Sequence, residues 1–208
     1  MLATMTDRAI SEVSKQLSWL LRHGAGERKL AMDAAGWTPV DAVLRELRID
    51  RPLLERVVVE NNKGRLELDG GRVRACQGHS LEAMPVTREA LEASWQPYEA
   101  AGSIWHGTNV EAAESILREG ILPGGRSHVH LADGTESKVG KRAQVAVLLE
   151  VSTDALRAAG RGLFASSNGV VLVRDVPVSC LIGVVGMTRE GKANEGRLRS
   201  LLQVGRDG

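Results

Sequence analysis

The residues of this sequence best suited to chemistry are histidines and arginines that stand beside turns. His106 closes a short apolar run and opens a His-Gly-Thr corner. Further along, His128 and His130 alternate, so they point to the same face if residues 126–131 form a strand. Arginine is always charged, and its planar fork can grip two phosphate oxygens at once. Arginines near histidines in loops therefore predict a site that handles phosphate or a nucleotide.

A histidine metal site is the alternative for the same residues. His106, His128 and His130 could supply imidazole nitrogens, but the sequence has no H-E-x-x-H motif and no convincing carboxylate companion. The two cysteines, Cys76 and Cys180, are far apart and lack the spacing of a zinc site or a disulfide framework. The sequence also contains no G-x-G-x-x-G run before a helix and no P-loop. We therefore expect neither a metal nor a Rossmann-type dinucleotide fold.

The first predicted helix carries two of the candidate side chains. Thr6 is a good N-cap, and an apolar stripe continues until Gly24. Arg22 and His23 therefore lie in the last turn. The helix dipole favours a cation there by about 0.3–1 kcal/mol, which explains both residues without any catalytic role. Their position alone leaves the choice between stability and chemistry open.

The rest of the N-terminal half predicts two more helices and a β-hairpin. Thr38 caps the second helix, with Pro39 at its first position, and Asp50 caps the third. Residues 65–75 alternate about an Asp-Gly pair that is typical of a hairpin turn. Basic and amide side chains collect at the hairpin entrance, residues 61–65, where a solvated turn is an equally good explanation. This order of elements is that of a winged helix-turn-helix module, but a fold alone does not give a function.

The C-terminal half predicts many short strands joined by short loops. A polar stretch with two prolines at residues 82–101 indicates a domain boundary. Asn109 caps a helix that ends at Gly120, and the polar tail is expected to be peripheral, with a short helix at 197–204. Because strands and helices do not alternate regularly, a mixed or antiparallel sheet is favoured. The predicted strands cover residues 126–131, 144–151, 162–165, 170–173 and 180–185.

Composition and charge narrow the possible partners. The chain has 208 residues, of which 43% are hydrophobic, enough for two small domains with their own cores. Residues 1–85 hold 13 basic and 12 acidic side chains and the rest hold 14 of each, which excludes a protein that coats long nucleic acid. No segment approaches the roughly 18 apolar residues of a membrane span, and the N-terminus lacks a leader-like apolar region. We expect a cytoplasmic protein that contacts one phosphate or one strand terminus.

Six segments together resemble the RNA 2'-phosphotransferase family in their order and spacing. Each is common by itself, but the ordered set is specific, and the likeness runs from about residue 10 to about residue 186. One departure is Val171, which stands where the family often has an aromatic residue. The six segments are Leu20–His23, Asn61–Arg65, Ala75–Ser80, His106–Thr108, Arg126–Leu131 and Asn168–Val170.

The resemblance implies an α+β fold with two lobes. These are a winged-helix RNA-binding lobe at residues 1–85 and an ADP-ribosyltransferase-like lobe with a mixed or antiparallel split sheet at residues 100–208. The implied activity is removal of an internal RNA 2'-phosphate, as in tRNA processing, with NAD+ consumed as co-substrate and no metal. The phosphate first displaces nicotinamide to give a 2'-phospho-ADP-ribosyl intermediate, which then releases ADP-ribose 1'',2''-cyclic phosphate. We expect a monomer whose partners are RNA and NAD+, and no membrane.

The same resemblance assigns roles to individual residues. The implied catalytic set comprises Arg22, His23, Arg65 and Arg126, with His23 as the candidate for proton transfer. The residues expected to bind NAD+ are His106, Gly107, Thr108, His130, Asn168, Gly169 and Val170. The residues expected to contact the RNA are Lys63, Gln77, His79 and Ser80.

Two other functions remain open for such a site. The closest is an ADP-ribosyltransferase that stops after the first step and caps terminal phosphates of RNA or DNA. The other is a winged-helix regulator whose C-terminal lobe senses a nucleotide without turnover. The products formed from NAD+ and a 2'-phosphorylated RNA distinguish the three.

Overall fold

The computed structural model describes residues 7–61, 63–137, 139–140 and 145–207. Every strand pair within these ranges is antiparallel, so the prediction of a mixed α and β protein with antiparallel sheets is confirmed. None of the helices in these ranges has the length and apolar character needed to cross a membrane. The chain divides into two compact units, Met1–Ser94 with Gly125–Ser127, and Trp95–Gly124 with His128–Gly208.

The first unit combines helices with a three-stranded sheet of order β1-β3-β2. Its core is aliphatic, and Leu17, Leu54 and Val73 are fully buried in it. The first helix continues into a wider, π-helical turn at Leu20–Gly24. The elements are α1 (Asp7–Trp19), β1 (Thr38–Pro39), α2 (Val40–Leu47), α3 (Arg51–Val59), β2 (Leu66–Asp69), β3 (Arg72–Ala75) and α4 (Arg88–Ser94).

The three helix caps predicted in this half have different outcomes. Asp50 caps α3, because its carboxylate accepts a hydrogen bond from the backbone N–H of Leu53 at 3.0 Å. The prediction for Thr38 is wrong, since α2 begins at Val40. Thr38 instead takes part in β1, which gives its backbone an extended conformation. Thr6, the cap predicted for α1, lies outside the described residues.

The predicted β-hairpin is confirmed, with a small change in its turn. Asp69 pairs with Arg72 in the register of β2 and β3. The two-residue loop is therefore Gly70–Gly71 rather than the predicted Asp-Gly pair. Gly70 has a φ of +57°, a left-handed conformation that glycine adopts at little cost.

The second unit contains two antiparallel sheets, of order β10-β7-β5 and β4-β8-β9-β6. Backbone hydrogen bonds of 2.8 Å in both directions between Trp105 and Ala132 connect β5 to the end of β6. The predicted cap Asn109 is confirmed, as is the end of its helix at Gly120. The elements are β4 (Gln96–Pro97), β5 (Ser103–Thr108), α5 (Val110–Glu119), β6 (Val129–Leu131), β7 (Val147–Ser152), α6 (Thr153–Ala158), β8 (Phe164–Ala165), β9 (Val171–Val173), β10 (Leu181–Gly186) and α7 (Arg189–Asp207).

The C-terminal tail is not peripheral, so that prediction is wrong. It forms α7, a helix of 19 residues, where a short helix at 197–204 was expected. Leu198 is fully buried and Leu202 nearly so, and both belong to the core of the second unit. Their spacing of four puts them on one helix face, but the glycines and arginines around them disguise the apolar stripe. The helix therefore completes the core of the second unit.

Shortening Leu198 to alanine should destabilise the protein by about 2–5 kcal/mol, because it leaves a cavity in a fully packed site. Ser200→Ala on the exposed side of the same helix is the matched control and should change stability by less than about 0.5 kcal/mol. Urea unfolding followed by circular dichroism measures both. Equal stabilities for the two variants would show that α7 does not support the core.

Candidate active site

Arg22 and His23 lie in the π-helical turn that ends the first helix. The wider turn places Leu20 and Leu21 in the core, while Arg22 is half-buried and His23 is exposed. Single π-helical turns within α-helices are frequent at functional sites. The sequence-based prediction of both residues in the last turn is confirmed, but the turn is not an ordinary α-helical end.

The guanidinium of Arg22 is buried without the anion that a buried charge normally requires. Its Nε and Nη2 atoms are inaccessible to solvent and have no hydrogen-bond partner within the described part of the chain. Burial, followed by the positive charges of Arg65 and Arg126, lowers the pKa of Arg22 from 12.5 to about 10. A buried guanidinium with two unused donors, repelled by two further arginines, forms a site that an anion would complete.

Arg65 is held at the entrance of the β-hairpin. Its backbone N–H donates to the Asn61 side-chain oxygen at 3.0 Å, and its carbonyl accepts from the Cys76 N–H at 2.9 Å. Asn61 in turn donates to the hydroxyl of Ser14 on α1 at 3.3 Å. The loop that carries Lys63 and Arg65 is thus fastened to both α1 and the hairpin. These bonds fix the backbone of Arg65, whose charge lowers the pKa of Arg22.

Arg126 comes from the C-terminal half of the sequence but belongs to the first unit. The prediction that it begins a strand is wrong, because β6 starts only at Val129. Arg126 instead forms an isolated antiparallel bridge with Ser80. The Ser127 N–H donates to the carbonyl of His79 at 2.8 Å, and the Ser127 carbonyl accepts from Nε of Arg88 at 3.0 Å. The sequence analysis did not predict a role for Arg88, because no local pattern indicates that it bonds to Ser127, 39 positions away.

His23 is connected to the same bridge. Its Nδ1 lies 2.7 Å from the hydroxyl of Ser80, whose backbone N–H donates to the carbonyl of Arg22 at 2.9 Å. Partial burial, and then the positive charges of Arg22 and Arg126, lower the pKa of His23 below its usual 6.5. At neutral pH the imidazole is therefore uncharged and able to accept a proton.

Replacing Arg126 with glutamine should raise the pKa of His23. Removing a nearby positive charge favours the imidazolium form, so the ring should titrate closer to 6.5. NMR titration of the ring protons of His23 measures the change. Arg118→Gln, at the exposed end of α5, is the control and should leave this pKa unchanged. A lower pKa in Arg126→Gln would contradict the assigned effect of Arg126.

The residues expected to contact RNA also lie in the first unit, at different depths. Lys63 and Ser80 are half-buried, whereas Gln77 and His79 are buried. The ring of His79 packs against Gly36, where an added Cβ would come within 2.8 Å of Nε2. His79 therefore has a clear packing role, and its backbone helps to hold the segment that carries Arg126.

The residues expected to bind NAD+ lie on neighbouring strands of the second unit. Nδ1 of His106 in β5 is 3.3 Å from the carbonyl of His130 in β6. The turn 168–170 leads into β9, which pairs with β6. In this turn Gly169 has a φ of +79°, and Ser166 donates to the side-chain oxygen of Asn168 at 2.8 Å. Gly107 and Thr108, at the end of β5, are buried.

One histidine of the metal alternative has a packing contact. The ring of His128 is buried and meets Trp95 edge to face, with centroids 4.9 Å apart. That contact accounts for His128 as a packing residue. Within the described ranges, no group of three or more His, Cys, Asp or Glu side chains is arranged to hold a metal ion.

Comparison with known proteins places the chain in a family. A family model described as RNA 2'-phosphotransferase, Tpt1 / KptA family, matches residues 7–175. A probable RNA 2'-phosphotransferase of Pseudomonas syringae pv. tomato is 37% identical over 190 residues, covering 86% of this chain and 97% of the relative. Another from Burkholderia lata is 38% identical, covering 82% and 89%, and one from Pyrobaculum aerophilum is 33% identical, covering 84% and 81%. The chain therefore belongs to the RNA 2'-phosphotransferase family.

Proposed function

We propose that this protein removes an internal 2'-phosphate from RNA and transfers it to NAD+. The observation that supports this most directly is the buried guanidinium of Arg22, with two unused donors, beside Arg65 and Arg126. A phosphomonoester carries about −1.5 to −2 charges and several acceptor oxygens. An ordinary RNA phosphodiester carries a single charge and offers fewer free oxygens. A cluster of three arginines therefore suits the 2'-phosphate better than the backbone that surrounds it.

The two units fit the two lobes that this function requires. Helices followed by a β-hairpin, as in the first unit, are the elements of a winged-helix lobe. Two antiparallel sheets without regular strand-helix alternation, as in the second unit, fit an ADP-ribosyltransferase-like lobe. In this proposal the first unit holds the RNA 2'-phosphate and the second binds NAD+.

In the first step, an oxygen of the RNA 2'-phosphate attacks the anomeric carbon of the nicotinamide ribose. The glycosidic C–N bond breaks, its electron pair leaves with nicotinamide, and a 2'-phospho-ADP-ribosyl linkage forms. Because the phosphate is already anionic, the step needs a fixed geometry more than a general base. Arg22, Arg65 and Arg126 supply that geometry by holding the oxygens that do not react.

In the second step, the 2''-hydroxyl of the transferred ribose attacks phosphorus. The bond from phosphorus to the RNA 2'-oxygen breaks, giving a 2'-hydroxyl RNA and ADP-ribose 1'',2''-cyclic phosphate. One proton leaves the attacking hydroxyl and one is taken up by the 2'-oxygen. His23, uncharged at neutral pH and held by Ser80, is our candidate for this exchange. Negative charge grows around phosphorus in this step, where fixed arginines stabilise most.

The candidate NAD+-binding residues of the second unit have features suited to binding a nucleotide. Gly169 is exposed and has no side chain, so a ligand can approach the backbone closely there, while Gly107 is buried in β5. The His106 ring is held by the His130 carbonyl at 3.3 Å, which fixes an aromatic surface beside that backbone. These residues would bind and orient NAD+ while its nicotinamide ribose is exposed to the attacking phosphate.

The test is incubation with NAD+ and an oligoribonucleotide carrying one internal 2'-phosphate, followed by mass spectrometry. We expect loss of the phosphate, with nicotinamide and the cyclic phosphate as products. Controls omit NAD+ or the 2'-phosphate, and one oligonucleotide carries a terminal phosphate instead. A stable ADP-ribose adduct on the terminal phosphate alone would replace the proposal with a capping activity. No change in any RNA would indicate a protein that binds nucleotides without turnover.

A further inference from the structure

Trp19 presents an exposed aromatic ring one helical turn before the arginine and histidine of the candidate site. It is 44% exposed, although the next two residues, Leu20 and Leu21, are almost completely buried. Tryptophan combines a large apolar ring with a polar N–H group and is enriched at interfaces, where one part of the ring is covered by a partner. Its exposure is therefore an observation that the core of the first unit does not explain.

The helix places Trp19 on the same side as His23. A π-helical turn is closed by i→i+5 hydrogen bonds, so the four positions from Trp19 to His23 span nearly one turn. Both side chains are exposed, and the polar edge of His23 is held by Ser80. The indole therefore projects from the same side of this turn as the group proposed to exchange protons with the RNA 2'-oxygen.

The indole also contacts two other residues of the first unit. Its six-membered ring packs directly on Gly24, where any added Cβ would overlap ring carbons. The guanidinium of Arg28 lies 6.0 Å from the ring centroid and is anchored by Glu46 at 3.2 Å. A fixed ring loses little conformational entropy when a ligand stacks on it. Every nucleobase offers a flat π-face to such a surface, independent of sequence.

We propose that Trp19 stacks on the nucleobase of a nucleotide adjoining the 2'-phosphate. This inference rests on the proposed function, because it takes RNA with a 2'-phosphate as the ligand. It adds a sequence-independent contact through which the protein recognises the strand around the phosphate. Arg22, Arg65 and Arg126 hold the phosphate, and Trp19 holds the flanking base so that the bond to the 2'-oxygen stays beside His23.

The test is equilibrium binding in the absence of NAD+, with a trinucleotide whose central residue carries the 2'-phosphate. A second trinucleotide has the same backbone and phosphate but is abasic at both flanking positions. Trp19→Leu keeps an apolar side chain but has no π-face, whereas Trp19→Phe keeps the stacking surface. Val59→Ala, an exposed apolar residue of the same unit, is the matched control. Thermal unfolding of each variant checks that folding is retained.

We expect Trp19→Leu to bind the complete trinucleotide at least about 5-fold more weakly than the original protein, and the abasic one equally well. Trp19→Phe should recover most of the loss, and Val59→Ala should show none. An equal loss for both trinucleotides, or no loss for either, would overturn the stacking contact. Binding needs no turnover, so the result is independent of phosphate transfer. Wild-type protein that binds both RNAs but releases no phosphate with NAD+ would instead refute the proposed function alone.

Discussion

Replacing Arg22 with methionine is expected to abolish 2'-phosphate removal and, at the same time, to stabilise the ligand-free protein. Methionine is an unbranched, uncharged side chain that follows the course of the arginine stem, so it removes the cost of a buried guanidinium. That cost is visible in the pKa of Arg22, which burial and two neighbouring arginines lower to about 10. Removing the charge should stabilise the fold by on the order of 1–3 kcal/mol. Loss of one fixed donor should lower the turnover by at least about 100-fold.

Two measurements check this prediction. Urea unfolding without ligand gives the stability, and release of phosphate from the RNA gives the activity. Added inorganic phosphate should raise the melting temperature of the original protein more than that of Arg22→Met, since only the former keeps the complete anion site. The control is Arg45→Met, a substitution of an exposed residue on α2, which should change neither the stability nor the activity markedly. A less stable Arg22→Met variant would mean that the arginine supports the fold and not the ligand.

The opposite signs of these two effects follow from how the site is built. Half-buried Arg65 and exposed Arg126 add positive charge near the buried guanidinium of Arg22, two of whose nitrogens have no acceptor within the described residues. Such an arrangement is unfavourable until an anion arrives, and the binding energy of the anion then includes relief of that repulsion. Strain of this kind is typical of functional sites, where stability is given up for preorganisation.

Local signals in the sequence predicted the elements that depend on nearby residues. The caps Asp50 and Asn109 each bond a backbone N–H three positions away, so their chemistry is contained in a short segment. The hairpin is similarly local. The prediction that Thr38 caps α2 was wrong because Thr38 pairs with β3, more than 30 residues further along the chain, and this pairing competes with capping. The prediction of a peripheral tail was wrong because the apolar stripe that contains Leu198 can be recognised as part of the core only when the strands that it packs against are known.

The candidate site could be proposed from residue types, but its arrangement could not be predicted. Spacing and resemblance singled out Arg22, Arg65 and Arg126 as candidates, yet no local pattern shows that they converge. Convergence depends on the bridge between Ser80 and Arg126 and on the bond from Arg88 to the backbone beside it. These contacts join segments about 40 positions apart, and periodicity carries no information about them.

Replacing Arg126 with alanine is expected to slow the second step of the proposed reaction much more than the first. The first step breaks a C–N bond at carbon, and the phosphate loses negative charge as the monoester becomes a diester. The second builds negative charge around phosphorus itself, so a guanidinium that holds phosphate oxygens contributes more to that transition state. We expect at least about a 100-fold loss in the second step and less than about 10-fold in the first.

A larger loss of rate in the second step than in the first should make the intermediate between them accumulate. With the second step limiting, RNA carrying a 2'-phospho-ADP-ribose group should build up while nicotinamide release continues, and mass spectrometry of a time course detects both. Arg65→Ala should behave in the same way, because its charge acts on Arg22 from the hairpin entrance as that of Arg126 does from the Ser80 bridge. Arg118→Ala, on the exposed end of α5, is the control. Equal losses in both steps, with no adduct at any time, would show that Arg126 only binds the phosphate and does not discriminate between the two transition states.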